Sequence, residues 1–368
     1  MYVAWVFTPK RKLVVAIIDK TVQTSAGQEH ISLDWVLTQE KFTKNNNQLY
    51  RSDKDYFGFF PGQQKKYQLR GLEALDEDQI NQLSEESDLV YMTDSYGIFR
   101  SEWMAEGNAQ ERSGIIYGGM SDQDLALFSA MKARHKLIVS EFNSMGSPTT
   151  PDNRARFENA FGVKWTGWIG RYFDSFDTTV NKELPKWLIH NYRRQHGGAW
   201  PFRKSGIAFI HTGDQIVIVE KEKELLDDIP RIEVSREGQN HYQLPQTIRY
   251  PFWFDIVAAD TGYNHYLATF QLDVNEKGRA LLQQNGIPSQ FPAITVHINR
   301  DYRFFYFSGD FCDNPIVLSG AYLKWVHYLD WFFYNRHDPQ ERRSFFWLFY
   351  RPLVTTILND YYHTLHHP

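Results

Sequence analysis

Four short aliphatic or aromatic runs constrain this chain more than any other feature. They are Leu13 to Ile18, Asp88 to Thr93 (with Leu89, Val90, Tyr91 and Met92), Gly114 to Tyr117, and Lys136 to Val139. Each is too short for a helix and too uniformly apolar to alternate, the pattern of a strand buried on both faces. Between the third and fourth runs, Ser121 sits as an N-cap with Asp124 three residues on. Leu125, Leu127, Phe128 and Met131 follow as the apolar face of a helix. Thr150-Pro151-Asp152 opens another helix, with Phe157 and Phe161 one turn apart and Gly162 as its stop. Strands alternating with helices make βαβ units, and so an α/β fold with a doubly wound, mostly parallel sheet covered on both faces.

The rhythm changes after Val163. Aromatics alternate from Trp165 to Phe173, and Leu184 to His196 reads as a helix. Ile207 to His211, Ile216 to Val219 and Ile232 to Val234 are strand-like, with turn signals at Thr212-Gly213-Asp214 and Gly238-Gln239-Asn240. His265 to Leu272 alternates with period two, Asn275 to Asn285 reads as a helix stopped by Gly286, and Arg303 to Phe307 is an aromatic strand that should rejoin the first sheet. Apolar residues then recur at helical spacing from Ala321 to Asn335 and from Phe345 to Leu358, where Pro352 should kink or split the helix. Such aromatic faces pack on a core or meet a membrane or partner. The division that follows is an α/β domain at 13–163 plus 287–315, a β-rich elaboration at 164–286, and C-terminal helices at 316–368.

Residues 1–12 stand apart. The seven residues Met-Tyr-Val-Ala-Trp-Val-Phe are far short of the ~20 that span a bilayer. Lys10, Arg11 and Lys12 follow them instead of preceding them, unlike a secretory signal. Apolar and aromatic residues ending in Lys/Arg also match the inner end of a membrane segment. Residues 1–7 therefore read either as the remnant of an anchor, which would place the protein at a membrane, or as a first strand or undocked arm of a cytoplasmic protein. Aromatics make up 16% and charged residues 23% of 368 residues, a folding composition that excludes a disordered or coiled-coil chain. A formal charge of −4 gives no electrostatic footprint for nucleic acid. The single cysteine, Cys312, excludes an intrachain disulfide and a multi-cysteine metal site. Nothing in the pattern specifies an oligomeric state.

The candidate chemistry is positional. The first strand runs into Asp19, the second into Asp94, the fourth into Glu141 and the late strand into Asp310. In a doubly wound sheet, ligands bind beyond the carboxyl ends of the strands, so four separated carboxylates would converge there. Each has polar company: Lys20, Ser95 and Tyr96, Asn143, and Asp313. Any one carboxylate could simply cap the next helix. Four together imply a polar crevice, because unpaired buried carboxylates are costly. No cofactor is required, although Mg²⁺ or Ca²⁺ would suit such oxygen ligands. Two carboxyls about 5–9.5 Å apart would suit glycoside hydrolysis, and any of them could hydrogen-bond a sugar. His30, just before a helix with Leu33, Trp35, Val36 and Leu37, could be a base or ligand at the crevice mouth, or only a helix-start residue. Arg112 and Arg171 could clamp an anion or form structural ion pairs. Trp165, Trp168, Trp187, Trp200 and Trp253 could be sugar platforms or buried rings. There is no nucleophile elbow, phosphate-binding loop, dinucleotide fingerprint or H-E-x-x-H.

The segments LVVAIIDKTV, DLVYMTDSYGIF, RSGIIYGGMSDQD, KLIVSEFNSMGSPT, KWTGWIGRYF and FYFSGDFCDNP, with FFWLFYRPL near the end, together resemble an uncharacterised bacterial family over nearly the whole chain. Over roughly the first 160 residues and the closing strand, that family is similar to the class I glutamine amidotransferase-like, flavodoxin-like fold. Its members often begin with a membrane-spanning helix, which the resemblance extends to residues 1–7 as an implication. The sequence departs from true amidotransferases: no cysteine stands on a strand-to-helix elbow, and no His-x-Glu pair stands late in the chain. Glutaminase activity is not expected, and the kinship supplies architecture only. The expectation is a crevice that binds a polar ligand such as a cell-envelope carbohydrate. The alternatives are a metal-assisted or two-carboxylate hydrolase acting on a glycan, and a membrane-associated scaffold.

Overall fold

The computed structural model describes residues 1–24, 27–104, 114–335, 337–338 and 340–366. Its main strands are β1 (Val15–Asp19), β2 (Phe57–Pro61), β3 (Tyr67–Arg70), β4 (Leu89–Asp94), β5 (Leu137–Glu141), β6 (Val163–Phe173) and β7 (Gly206–His211). They continue with β8 (Ile216–Glu220), β9 (Arg231–Val234), β10 (Thr247–Arg249), β11 (Trp253–Ala259), β12 (His265–Gln271), β13 (Gln290–Ile298) and β14 (Arg303–Phe307). The helices used below are α1 (Tyr2–Val6), α2 (Ile31–Gln39), α3 (Glu77–Glu86), α4 (Asp122–Ala133), α5 (Pro151–Phe161), α6 (Lys186–Gln195), α7 (Glu276–Gln284) and α8 (Arg351–His366).

Ten strands form one sheet in the order β10-β9-β12-β13-β14-β5-β4-β1-β2-β3. Neighbours from β14 to β2 are parallel, and the strands beyond them on either side pair antiparallel. Numbered along the chain, the five parallel strands lie in the order 2-1-3-4-5, the flavodoxin-like arrangement, whose switch point falls between β1 and β4. The late aromatic strand rejoins this sheet as β14. Within 164–286, β9, β10 and β12 extend the same sheet, whereas β8-β7-β6-β11 form a separate antiparallel one.

The pleat sends alternate residues of the parallel strands to two different cores. Val15, Ile17, Leu89, Tyr91, Leu137 and Val139 face one that includes Leu33 and Trp35 of α2 and Leu353, Ile357 and Leu358 of α8. Ala16, Ile18, Val90, Met92, Ile138 and Phe304 face another, built with Leu127 and Phe128 of α4 and Phe157 and Phe161 of α5. This two-sided burial is why the runs show no period-two alternation. The caps fall where their residues predict. Ser121 and Asp124 make a reciprocal capping box, and Thr150 caps α5 ahead of Pro151. Gly162 closes α5 at φ 64°, a left-handed conformation that glycine adopts without a Cβ clash. Helix α3 has an equally plain signature in Asp76 and Gln79, which cap each other.

Three expectations are corrected. Gly114 to Tyr117 is not a strand of the main sheet; Ile115–Tyr117 pairs only with Ile98–Phe99, and Ile115 is 43% exposed. Three residues at the surface bury too little to join a two-faced core. Ala321 to Asn335 is not an α-helix but two 3₁₀ segments, Leu318–Tyr322 and Val326–Phe332, separated by Trp325 at φ 64°. A left-handed tryptophan interrupts the helical ladder whatever the apolar spacing. Pro352 does not split the last helix: Phe346–Tyr350 winds as a π-helix and runs directly into α8. Pairing i with i+5 is one way a helix absorbs a residue without an N–H.

At the other end, α1 docks through Trp5, whose Nε1 donates to the Thr38 carbonyl at 3.1 Å and whose ring meets Tyr322 edge-on at 4.8 Å. The Lys324 amide donates to the Met1 carbonyl at 3.2 Å, so the two segments lie side by side. Tyr2, Val3, Val6 and Phe7, with Trp325, Tyr328, Trp331 and Phe332, remain exposed around them. Among the described residues, no helix is long and apolar enough to cross a membrane.

Candidate binding cleft at the sheet switch point

Parallel pairing sets β1 and β4 side by side, and their register matches Asp19 with Asp94 at the carboxyl ends. Past these ends the chain leaves the sheet in loops, and between the loops lies a cavity of about 330 Å³. Five carboxylates from four segments line it: Glu29 from the loop before α2, Asp94 from the end of β4, Glu102 from the short helix Arg100–Met104, and Asp310 and Asp313 from the loop after β14. Phe142, Trp187, Phe252 and Trp253 line it as well, with Thr21, Tyr96 and Asn143. Glu29, Asp310 and Asp313 each place an oxygen within 4.8 Å of the others.

So many acids in a desolvated space cannot all ionise freely. Burial and the neighbouring aspartates push Glu29 and Asp310 well above the usual carboxylate range. Burial also raises Asp94 from 3.8 to about 8, although its Oδ1 accepts the Tyr96 amide at 2.5 Å. Arg342 brings a cation to this wall, 3.3 Å from Asp313 Oδ2 and stacked 3.2 Å over the Phe252 ring.

Behind this wall lies a second layer. Asp19 Oδ2 meets His30 Nδ1 at 2.5 Å, and Asp19 Oδ1 accepts the Thr21 amide at 3.0 Å. His30 Nε2 faces the Ser52 carbonyl at 2.8 Å, so both ring nitrogens face acceptors and both carry protons. Burial alone would lower the His30 pKa, but Asp19 and Asp34 outweigh it and raise it from 6.5 to about 9. The imidazolium thus pins the loop that carries Glu29.

These protons predict a pH dependence. Asp94 holds its proton from 3.8 up to about 8 and His30 from 6.5 up to about 9 in the folded state. In that window the native protein binds more protons than the unfolded chain, so stability falls as pH rises. Melting temperatures measured without divalent cations should therefore decline from pH 5 to pH 9, and less steeply in Asp94→Asn. A rise across that window would contradict the buried carboxyls.

The candidates named from the sequence divide by side-chain direction. Asp94, Tyr96, Asn143, Asp310 and Asp313 line the cavity. Glu141 does not: its carboxylate is taken by the Tyr91 hydroxyl and by the amides of Phe311 at 3.0 Å and Cys312 at 2.9 Å. Lys20 turns to Asp124 and Glu73, and the Ser95 hydroxyl bonds the Asn143 and Ser144 carbonyls. Asp19 and His30 belong to the layer behind the wall. Arg171 pairs with Glu183 at 2.9 Å and lies over Trp253 and Phe252, behind the aromatic lining. Arg112 lies outside the described residues. Of the tryptophans, Trp187 and Trp253 line this cavity, while Trp168 and Trp200 pack in cores. Glu29 and Arg342 were not singled out as site residues. The Glu29-His30 pair beyond the first strand was a usable signal for the first, and nothing local marks the second.

No protein-family model matches the chain, and no curated protein matches it. Solved structures resemble it at low identity. A putative ThuA-like protein from Bacteroides uniformis is 9% identical, with a TM-score of 0.38 over 86% of this chain and 90% of its own. A β-galactosidase from Bacillus circulans sp. alkalophilus is 9% identical, with a TM-score of 0.35 over 82% of this chain and 30% of its own. The carbohydrate deacetylase Agd3 is 8% identical, with a TM-score of 0.36 over 82% of this chain and 30% of its own. The chain thus spans under a third of the β-galactosidase and of the deacetylase.

Proposed function

We propose that this protein is a non-glutaminase relative of the amidotransferase-like fold that binds a carbohydrate at the switch-point cleft. The observation that carries this reading is one cavity lined by five carboxylates and five aromatic rings. Carboxylates accept hydrogen bonds from sugar hydroxyls, and aromatic faces pack against the C–H faces of a pyranose. Glu29, Asp310 and Asp313 would hold a hard cation such as Ca²⁺ or Mg²⁺, which takes oxygen ligands and relieves their mutual repulsion. The 4.8 Å limit on their separation is tighter than the spacing of about 5–9.5 Å between hydrolytic carboxyl pairs, which favours a shared cation or proton among these three.

Titration calorimetry with soluble mono- and oligosaccharides, in Ca²⁺ and in EDTA, tests the proposal. Asp310→Asn and Trp187→Ala should each weaken binding by about tenfold or more, the loss expected for one buried hydrogen bond or cation ligand or one stacking face. EDTA should weaken it as well. Sugar affinity that neither substitution changes would exclude the cleft.

One observation favours hydrolysis as a second reading. With its pKa at about 8, Asp94 carries a proton at neutral pH and has the form needed to protonate a glycosidic oxygen. Release of reducing ends from a labelled polysaccharide, lost in Asp94→Asn, is its expected signature.

A further inference from the structure

A second cavity of about 250 Å³ abuts the first, and Tyr96, Asn143 and Ile169 line both. The two are compartments of one cleft that meet along those three side chains. The second is different in kind. In place of five carboxylates and a row of rings it has the Ser147 and Thr212 hydroxyls, the His211 imidazole and a single carboxylate, Asp214.

The local backbone is built around this compartment. The pairing of β6 with β11 slips register between Trp165 and Ile169, a bulge that re-aims the strand where both residues border the cavity. Gly167 lies inside the bulge at φ 92°, and a Cβ there would come within 2.7 Å of His211 Nε2. Only glycine allows this approach. His211 Nδ1 accepts from the Gly213 amide at 3.2 Å, so the ring proton sits on Nε2, which is a donor. Donor, hydroxyls and carboxylate together match the mixed hydrogen bonding of a second sugar unit, one residue removed from the acidic compartment.

We propose that the cleft takes an oligosaccharide of at least two units, with one sugar in the acidic compartment and the next in the His211 compartment. The proposal rests on the carbohydrate reading above and adds chain length to it. Titration calorimetry with cello- and chito-oligosaccharides of one to four units tests it on the full chain. In at least one series, affinity should rise by about tenfold or more from the monosaccharide to the disaccharide. Thr212→Trp, at an exposed position bordering the second compartment, should remove that rise and leave monosaccharide affinity within about twofold. His211→Ala should reduce the same increment, and melting curves confirm that both variants fold. Affinity that is flat with length, or a rise that both variants keep, overturns the two-compartment proposal and leaves the carbohydrate reading standing. No binding of any length in either series overturns both.

Discussion

Replacing Lys20 by methionine is expected to destabilise the fold by about 3–5 kcal/mol, the range for removing one partner of a buried ion pair. Lys20 and Asp124 are both fully buried, with Nζ 2.5 Å from Asp124 Oδ2. The ammonium also donates to the Gly119 carbonyl at 2.9 Å and pairs with Glu73. Burial alone would lower the Lys20 pKa, yet Asp124 and Glu73 raise it, so the group stays charged. Glu73 is partly exposed and can turn to water, which limits its share of the loss. Asp124 has no such escape. It sits in the first turn of α4, where its carboxylate also accepts the Ser121 amide at 2.7 Å. Without the lysine its charge is stranded. Urea unfolding of Lys20→Met, Asp124→Asn and the double variant should show the double variant more stable than Lys20→Met alone. A loss under about 1 kcal/mol for Lys20→Met would mean that water replaces the ammonium and that the pair does not hold β1 to α4.

A comparable effect is expected at Glu141, and it should reach the cleft. Glu141→Ala leaves the buried amides of Phe311 and Cys312 without their acceptor and takes from the Tyr91 hydroxyl one of its two partners, the other being the Tyr350 hydroxyl at 3.1 Å. Each buried group left unmet costs about 1–3 kcal/mol, so a total of about 3 kcal/mol or more is expected. The two amides lie between Asp310 and Asp313, which both line the cavity. Weaker Ca²⁺ or sugar binding should therefore accompany the instability, although Glu141 never touches the cavity. Glu141→Gln keeps a carbonyl oxygen for the loop and should retain most of the binding. If Glu141→Ala proves unstable but binds as tightly as the wild type, the loop does not depend on this anchor.

Much of the fold was legible because its signals are local. A strand buried on both faces must be apolar at every position, and Val15 to Ile18, Leu89 to Met92 and Leu137 to Val139 are. Ser121 with Asp124, and Thr150 with Pro151 and Gly162, mark helix ends through contacts three or four residues apart. The errors have the same root. The spacing from Ala321 to Asn335 is helical, but the backbone at Trp325 is not, and periodicity carries no information about φ. Ile115 looks like a core residue beside Ile116 and Tyr117, yet the main sheet has no place for it.

By itself, the sequence determined that the strands run in parallel and end in acids, since composition fixes which runs are doubly buried and the alternation with helices fixes their direction. It could not determine which acids face open space. Asp94 and Glu141 both end such strands, but one opens on the cavity while the other is captured by Tyr91 and by amides from a loop some 170 residues away in the chain. Glu29 and Arg342 join the cleft by the same kind of long-range packing. A side chain's direction past the end of a strand depends on which distant donor reaches it first, and only the folded chain brings those donors near.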